Sequence, residues 1–301
     1  EFNVNSVLVE NDDFDWDINA NIGLNRNNLN KLNSNLDFQL GPSIGFSQAY
    51  PILFMVDQPL GIYWGAQTDG IYADWEEAIN SGIAGAAPGE VKYVNNFVDL
   101  DDSGQPLALQ EINFDDYVKI GDPNPDFTYS ISNNFRYKKW DASILFTGQK
   151  GGDLFWVDSW QLSGLQKTTN VLTSSFENSW IAPLVYEDGN YVYDPSVGGL
   201  NNANHPAALI DTGSRAIPSD RNIFDGSFIR LKNINIGYNF DFSQGRNMRV
   251  YISGQNLFVW TDYPGYDPEV RTYTKNPQKR GVDFGTYPGT KSILFGLKFN
   301  Y

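Results

Sequence analysis

The sequence predicts an all-β protein, the antiparallel wall of a transmembrane β-barrel, and three observations carry that prediction. The first is strict two-residue alternation over stretches longer than soluble strands run. Across residues 13–25, Phe14, Trp16, Ile18, Ala20, Ile22 and Leu24 alternate with Asp15, Asp17, Asn19, Asn21, Gly23 and Asn25. Side chains alternate faces along a strand, so this pattern makes one greasy face and one wet face. A soluble strand averages about 5–6 residues, whereas a tilted membrane strand needs about 9–11. The second is an aromatic content of 15%, dominated by Phe and Tyr, which are the residues that girdle a barrel at the membrane boundary. The third is the end of the chain. Ile293, Phe295, Leu297, Phe299 and Tyr301 share one face of residues 291–301, and Ser292, Gly296, Lys298 and Asn300 share the other, with Leu294 the exception. Chain ends usually fray. This one carries an apolar face to its last residue, as a barrel strand ending in an interfacial aromatic does.

Composition narrows the function classes. Mean hydropathy is −0.40, and no run approaches the roughly 18 apolar residues of a spanning helix. If the chain spans a membrane, it does so with strands. The absence of cysteine removes a disulfide scaffold and a thiolate metal site. A net charge of −15 argues against nucleic acid as a partner, because phosphate binding needs cations, and it suits long solvated loops. Residues 1–10 already read as a strand and not as a signal peptide. The chain therefore reads as a piece of something longer, with residues 1–301 a single barrel portion.

Taken in order, residues 2–9 and 13–25 form a first hairpin across the polar turn Asn11-Asp12. Residues 27–50 are Asn-rich and read as loop. Residues 58–71 read as a glycine-interrupted strand. Residues 74–81 read as a short helix, with Asp74 as its cap and Glu76 and Glu77 at its positive end. Residues 91–100 are a further strand candidate. Residues 126–137 and 140–147 form a second hairpin across Lys138-Lys139. Residues 148–225 form a very long irregular stretch, of a length that marks a functional loop. Residues 227–240 and 248–260 form a third hairpin. Arg230 and Lys232 share the parity of its apolar Ile234 and Ile236, so they sit above the lipid or past a bulge. Residues 261–290 are loop, followed by the final strand. Short turns alternate with long loops, which places the turns and the C-terminus on one side and the loops on the other.

Residues 227–240 (SFIRLKNINIGYNF) and 247–270 (NMRVYISGQNLFVWTDYPGYDPEV) closely resemble the C-terminal signature of SusC/RagA-type TonB-dependent outer-membrane transporters. Residues 14–27 (FDWDINANIGLNRN), 58–72 (QPLGIYWGAQTDGIY) and 120–155 extend the resemblance over essentially the whole chain. It implies the C-terminal part of a 22-stranded plugged barrel, of which about eight or nine strands fall here and the plug and N-terminal domains do not. It further implies TonB-driven import of oligosaccharides or peptides with a SusD-like surface lipoprotein as lid. A part-barrel has two open edges, which lipid does not tolerate, so the remainder of the wall is expected from elsewhere.

The sequence gives little ground for catalysis. His205 is the only histidine, which leaves no triad and no two-histidine metal site. Asp99, Asp101 and Ser103 occupy the first, third and fifth positions of a calcium-loop pattern with Gly104 at the sixth. The twelfth position, where a bidentate acid belongs, is Gln110, and Glu111 comes one residue late. Calcium through Asp99, Asp101, Ser103 and Glu111 is thus a weak candidate beside a plain acidic turn. Trp156, Trp160 and Trp180 cluster in the longest loop with Tyr191 behind them. They offer stacking faces for a sugar or peptide, or else they pack that loop. Phe295, Phe299 and Tyr301 make up the barrel-insertion signal that the resemblance implies. Two rivals stand beside the transporter: a passive porin, and a secreted β-sandwich carbohydrate-binding module, which would purify without detergent.

Overall fold

The computed structural model describes residues 1–33, 36–45, 49–165, 170–193, 205, 217–270, 272, 273 and 275–300. Seven long strands form one antiparallel sheet, the wall. They are β1 (Phe2–Glu10), β2 (Phe14–Gly23), β3 (Pro125–Tyr137), β4 (Trp140–Gly151), β5 (Phe228–Asp241), β6 (Asn247–Trp260) and β7 (Ser292–Asn300). They neighbour one another in chain order, β1 through β7, so the wall is a simple meander. All three hairpins expected from sequence are present. Lys138 adopts φ +54°, which closes the two-residue turn between β3 and β4 as short hairpin turns require. The expectation of eight or nine wall strands is corrected to seven. The short apolar runs at residues 62–65, 68–71 and 91–93 form strands, but those strands pair outside the wall.

Register places most of the long apolar side chains of the wall on one face, with Leu145, opposite Ser132 and Asn233, and Leu294, opposite Ser253, on the other. One row runs Trp16, Phe135, Ala142, Ile236, Ile252 and Phe295. Another, nearer the middle, runs Ala20, Ile131, Phe146, Leu231 and Phe258. Aromatics concentrate in two bands. Near the short turns, Trp16 stacks on Phe135 at 5.7 Å and Trp140 meets Tyr238 at 4.9 Å. At the other end, Phe127 meets Tyr129 at 6.1 Å and Phe258 stacks on Trp260 at 5.9 Å. In β3, Phe127 and Tyr137 bound the two bands. Their separation of ten residues is roughly 33 Å along a strand, or about 25 Å along the normal at a tilt of ~40°, the height of a barrel's apolar belt. Asn133 is polar yet lies on this face, and the Trp16 indole N–H donates to its Oδ1 at 3.2 Å, which satisfies the acceptor where water is absent.

The opposite face carries Asn3, Asn21, Ser130 and Thr147 in one row and Asp17, Asn134, Ser143, Asn235 and Ser253 in another. Arg249 binds the Asp141 carboxylate and the Asn235 amide, and Asp15 pairs with Arg136. Two glycines make room for these larger groups. A Cβ on Gly237 would collide with the Arg249 guanidinium, and one on Gly296 would collide with the Tyr251 ring.

Arg230 follows one of its two expected alternatives. Lys232 pairs with neither neighbour: the register steps from Leu231 to Asn233 against both β4 and β6. One extra residue reverses the alternation beyond it. Leu231 therefore stays on the apolar face, and Arg230, opposite Thr147, turns to the polar one.

The three long connections meet at one end of the wall and fold into a cap. Residues 27–50, read as loop, contain one short strand at Phe38–Leu40. It joins Ile52–Met55, Ile62–Gly65 and Val118–Gly121 in a four-stranded sheet. The glycine-interrupted strand expected at residues 58–71 is two strands, Ile62–Gly65 and Thr68–Ile71. The expected helix is Trp75–Asn80, and Asp74 accepts from the Glu77 N–H at its N-terminus. The strand expected at residues 91–100 shortens to Val91–Tyr93. Asp153–Trp156 pairs antiparallel with Ile223–Asp225 and parallel with Val282–Asp283, which ties the second connection to the third. The cap core joins all three. Ile44, Ile52, Phe54 and Tyr63 from the first pack on Phe155, Val157 and Trp160 from the second and on Val282 from the third.

Candidate functional site

The site to consider is the polar face of the wall where it meets the cap. Arg230 enters it through the bulge and is 3% exposed. Its guanidinium binds Asp267, which is 5% exposed, and its Nε lies 2.7 Å from Glu269, which also pairs with Lys232 at 3.4 Å. Asp267 in turn accepts from the backbone N–H of Glu269 at 2.9 Å and of Gly289 at 3.2 Å. Two motifs distant in sequence, RLK on the strand and DPE in the loop, are thus one ion cluster, buried at Arg230 and Asp267 and half-buried at Lys232 and Glu269. It ties Asp267, Glu269 and Gly289 of the third connection to β5. The reversed parity of Arg230 was the signal in the sequence, but the partner was not visible there.

The three tryptophans, read either as stacking faces or as packing of their own loop, lie in the cap with their rings mostly buried. Trp156, Trp160 and Trp180 are 7%, 6% and 8% exposed. Trp156 meets Phe224 at 5.6 Å and Tyr263 at 6.1 Å. Trp160 meets Phe155 at 5.4 Å. The Trp180 indole donates to the Ala73 carbonyl at 3.2 Å, joining the second connection to the first. Trp156 and Trp160 also border a cavity of about 210 Å³ shared with Ser159, Ser175, His205 and Arg221. Burial and the neighbouring Arg221 hold the His205 imidazole below its ordinary pKa. Tyr191 lies on the strand Asn190–Tyr193.

The calcium-loop residues have other partners. Asp101 Oδ1 accepts from the Ser103 hydroxyl at 2.6 Å, the Ser103 N–H at 2.8 Å and the Gln105 N–H at 2.9 Å, closing a turn of its own. These bonds, the Ser103 hydroxyl foremost, hold its carboxyl below the usual range. Asp99 accepts from the Glu111 N–H at 3.0 Å. No group of three or more potential metal ligands occurs among the described residues. Of the insertion residues, Phe295 and Phe299 project from β7 on the apolar face and are exposed, and Tyr301 lies outside the described residues.

Where the second connection leaves the wall, Asp153 supplies a pH-dependent element. Its Oδ2 accepts from the Asp122 N–H at 2.7 Å. Burial, with the charges of Asp122 and Asp225 adding, raises its pKa above the ordinary 3.8. A carboxyl whose folded pKa is raised favours the fold when protonated, and it penalises the fold as pH rises through that raised value. Asp153→Asn keeps the acceptor and removes the charge. It should stabilise the cap at pH 7 by less than about 1 kcal/mol, since the group is half solvated, and the gain should vanish below the ordinary carboxylate range. Melting curves at neutral and acid pH check both the size and the sign.

No family model matches the chain. TonB-dependent receptor P3 of Formosa agariphila is 30% identical over the whole chain, which spans 28% of that receptor. TonB-dependent receptor SusC of Bacteroides thetaiotaomicron is 24% identical over the whole chain, which spans 26% of it. Among solved structures, the RagAB peptide transporter superposes on 98% of this chain with a TM-score of 0.67 at 17% identity, and the match spans 28% of that chain. In its open-open state the RagAB peptide importer gives a TM-score of 0.62. At that identity the structural match speaks for the fold. The chain spans little more than a quarter of the length of these relatives.

Proposed function

Along its whole length this chain is homologous to TonB-dependent receptors of the SusC/RagA type, and on that premise we propose that it forms the C-terminal part of the wall and outer mouth of an outer-membrane importer. The apolar face meets lipid, the polar face lines the passage, and the cap stands on the cell exterior. Oligosaccharides or peptides are the cargo, a SusD-like lipoprotein covers the mouth, and the TonB complex acts through parts of the receptor outside this chain. The observation that carries this reading is the two-faced wall, whose apolar belt matches a membrane in height and whose other face is an Asn, Ser and Asp ladder suited to neutral hydrogen-bonding solutes.

Two measurements test it. Cysteines placed at Asn190 in the cap and at Lys139 in a short turn should differ on intact cells, with an impermeant reagent labelling the first and sparing the second. Disruption of the gene in its native host should abolish growth on one oligosaccharide or peptide source, and loss of TonB should reproduce that defect. Uptake independent of TonB would favour the passive porin instead.

A further inference from the structure

We propose that a recess on the polar face, just inside the mouth, is a subsite for a carboxylate group on the cargo; the proposal rests on the import reading above. The recess has a volume of about 500 Å³. It lies between the upper ends of β3 and β4, which contribute Thr128 and Gln149, the link at Asn124, and the third connection, which contributes Glu269 and Arg280. Among its described lining residues only Glu269 and Arg280 are charged.

These two charges are not equivalent. Glu269 is neutralised by Arg230 and Lys232. Of the nearby carboxylates, Asp122 is paired with Lys119 at 3.3 Å and Asp126 with Arg26 at 3.2 Å, and Asp153 accepts from the Asp122 N–H at 2.7 Å. The Arg280 guanidinium, in contrast, makes one long bond among the described residues, 3.4 Å to the neutral Asn124 side chain. Its backbone is fixed independently, because the Arg280 carbonyl accepts from the buried Tyr63 hydroxyl at 2.8 Å. An exposed, anchored arginine with most of its five donors unspent therefore borders a polar hollow in a chain of net charge −15. A planar guanidinium pairs with a carboxylate through two parallel bonds. The Asn25 amide and the Thr128 hydroxyl share the lining and are placed to bond the atoms attached to that carboxylate. The same chemistry is offered by the C-terminal carboxylate of a peptide and by a uronic acid in an oligosaccharide.

The test uses the full-length receptor purified in detergent, with calorimetric titration of four probes. These are N-acetyl-tetraalanine as the free acid and as the C-terminal amide, and trigalacturonate as the free acid and as the methyl ester. One acid should bind about tenfold more tightly than its neutral counterpart, and which one does so identifies the source of the carboxylate. Arg280→Gln should abolish that preference and leave the affinity of the neutral probe and the melting temperature unchanged. Arg280→Lys should retain part of the preference, as a point charge without the fork. The subsite is overturned if neither acid binds the wild type, if acid and neutral probes bind alike, or if Arg280→Gln weakens both equally. Such a result with TonB-dependent uptake intact rejects the subsite alone, whereas a gene disruption that leaves growth on every such source unchanged rejects the import reading beneath it.

Discussion

Replacing Asp267 by Ala should cost the folded receptor about 3–5 kcal/mol, the range for breaking a buried ion pair by removing one partner. Asp267 performs two tasks at once. It neutralises Arg230, and it holds the Glu269 and Gly289 N–H groups, so the variant loses charge pairing and loop closure together. Arg230→Met should be milder, because Asp267 keeps both backbone donors. The double variant Arg230→Met with Asp267→Leu should cost less than the sum of the two single changes, since an apolar pair leaves no stranded charge. Limited proteolysis reads the effect locally. Cleavage within residues 261–291 should accelerate strongly in Asp267→Ala and return towards wild type in the double variant. If Asp267→Ala were cut no faster than wild type, the ion cluster would not be what holds this connection to β5.

The wall was legible in the sequence because each of its strands has one apolar environment and one aqueous one, and that contrast writes a period of two into the residues. Where the backbone departs from that period the sequence left two alternatives. Arg230 and Lys232 announced a conflict, and only the pairing shows that Lys232 is the residue skipped. The cap was far less legible. Ile52, Leu53 and Phe54 are all buried, so their strand has no alternation to read. Their partners come from segments more than a hundred residues away, such as Phe155 and Val282. Short strands stabilised by distant contacts look like loop in any local window. The tryptophans illustrate the same limit. A cluster of aromatic side chains in a long connection fits a stacking platform or a core, and the depth at which each ring sits is set by distant partners that no local window contains. The Arg280 recess left no trace in the sequence, since it depends on which neighbouring charges are already paired.

A lysine at Ile131 should nearly eliminate the receptor from the outer membrane, while a lysine at the next residue, Ser132, should be close to silent. Ile131 sits on the apolar face between Ala20 and Phe146, well inside the two aromatic bands. Ser132 faces the opposite way, between Asn19 and Leu145. A cation near the middle of the lipid face costs about 2–4 kcal/mol, falling to roughly 0–1 near the interfaces. The polar face supplies water, so there the same charge is solvated. The final strand provides an intermediate case. Phe299 pairs with Met248, one row beyond Val250 and Leu297 towards the short turns, so Phe299→Asp places its acid close to the interface and should cost less than Ile131→Lys. It still removes a ring whose apolar area is worth about 2 kcal/mol, and it alters a terminal segment that the resemblance ties to insertion. Lys298→Asn, on the polar face of the same strand, should leave the amount unchanged. The expected order of receptor recovered in outer-membrane fractions is therefore wild type, Ser132→Lys and Lys298→Asn together, then Phe299→Asp, then Ile131→Lys. If Ser132→Lys were depleted as severely as Ile131→Lys, the two faces would be wrongly assigned, and the passage could not run along the Asn and Ser ladder.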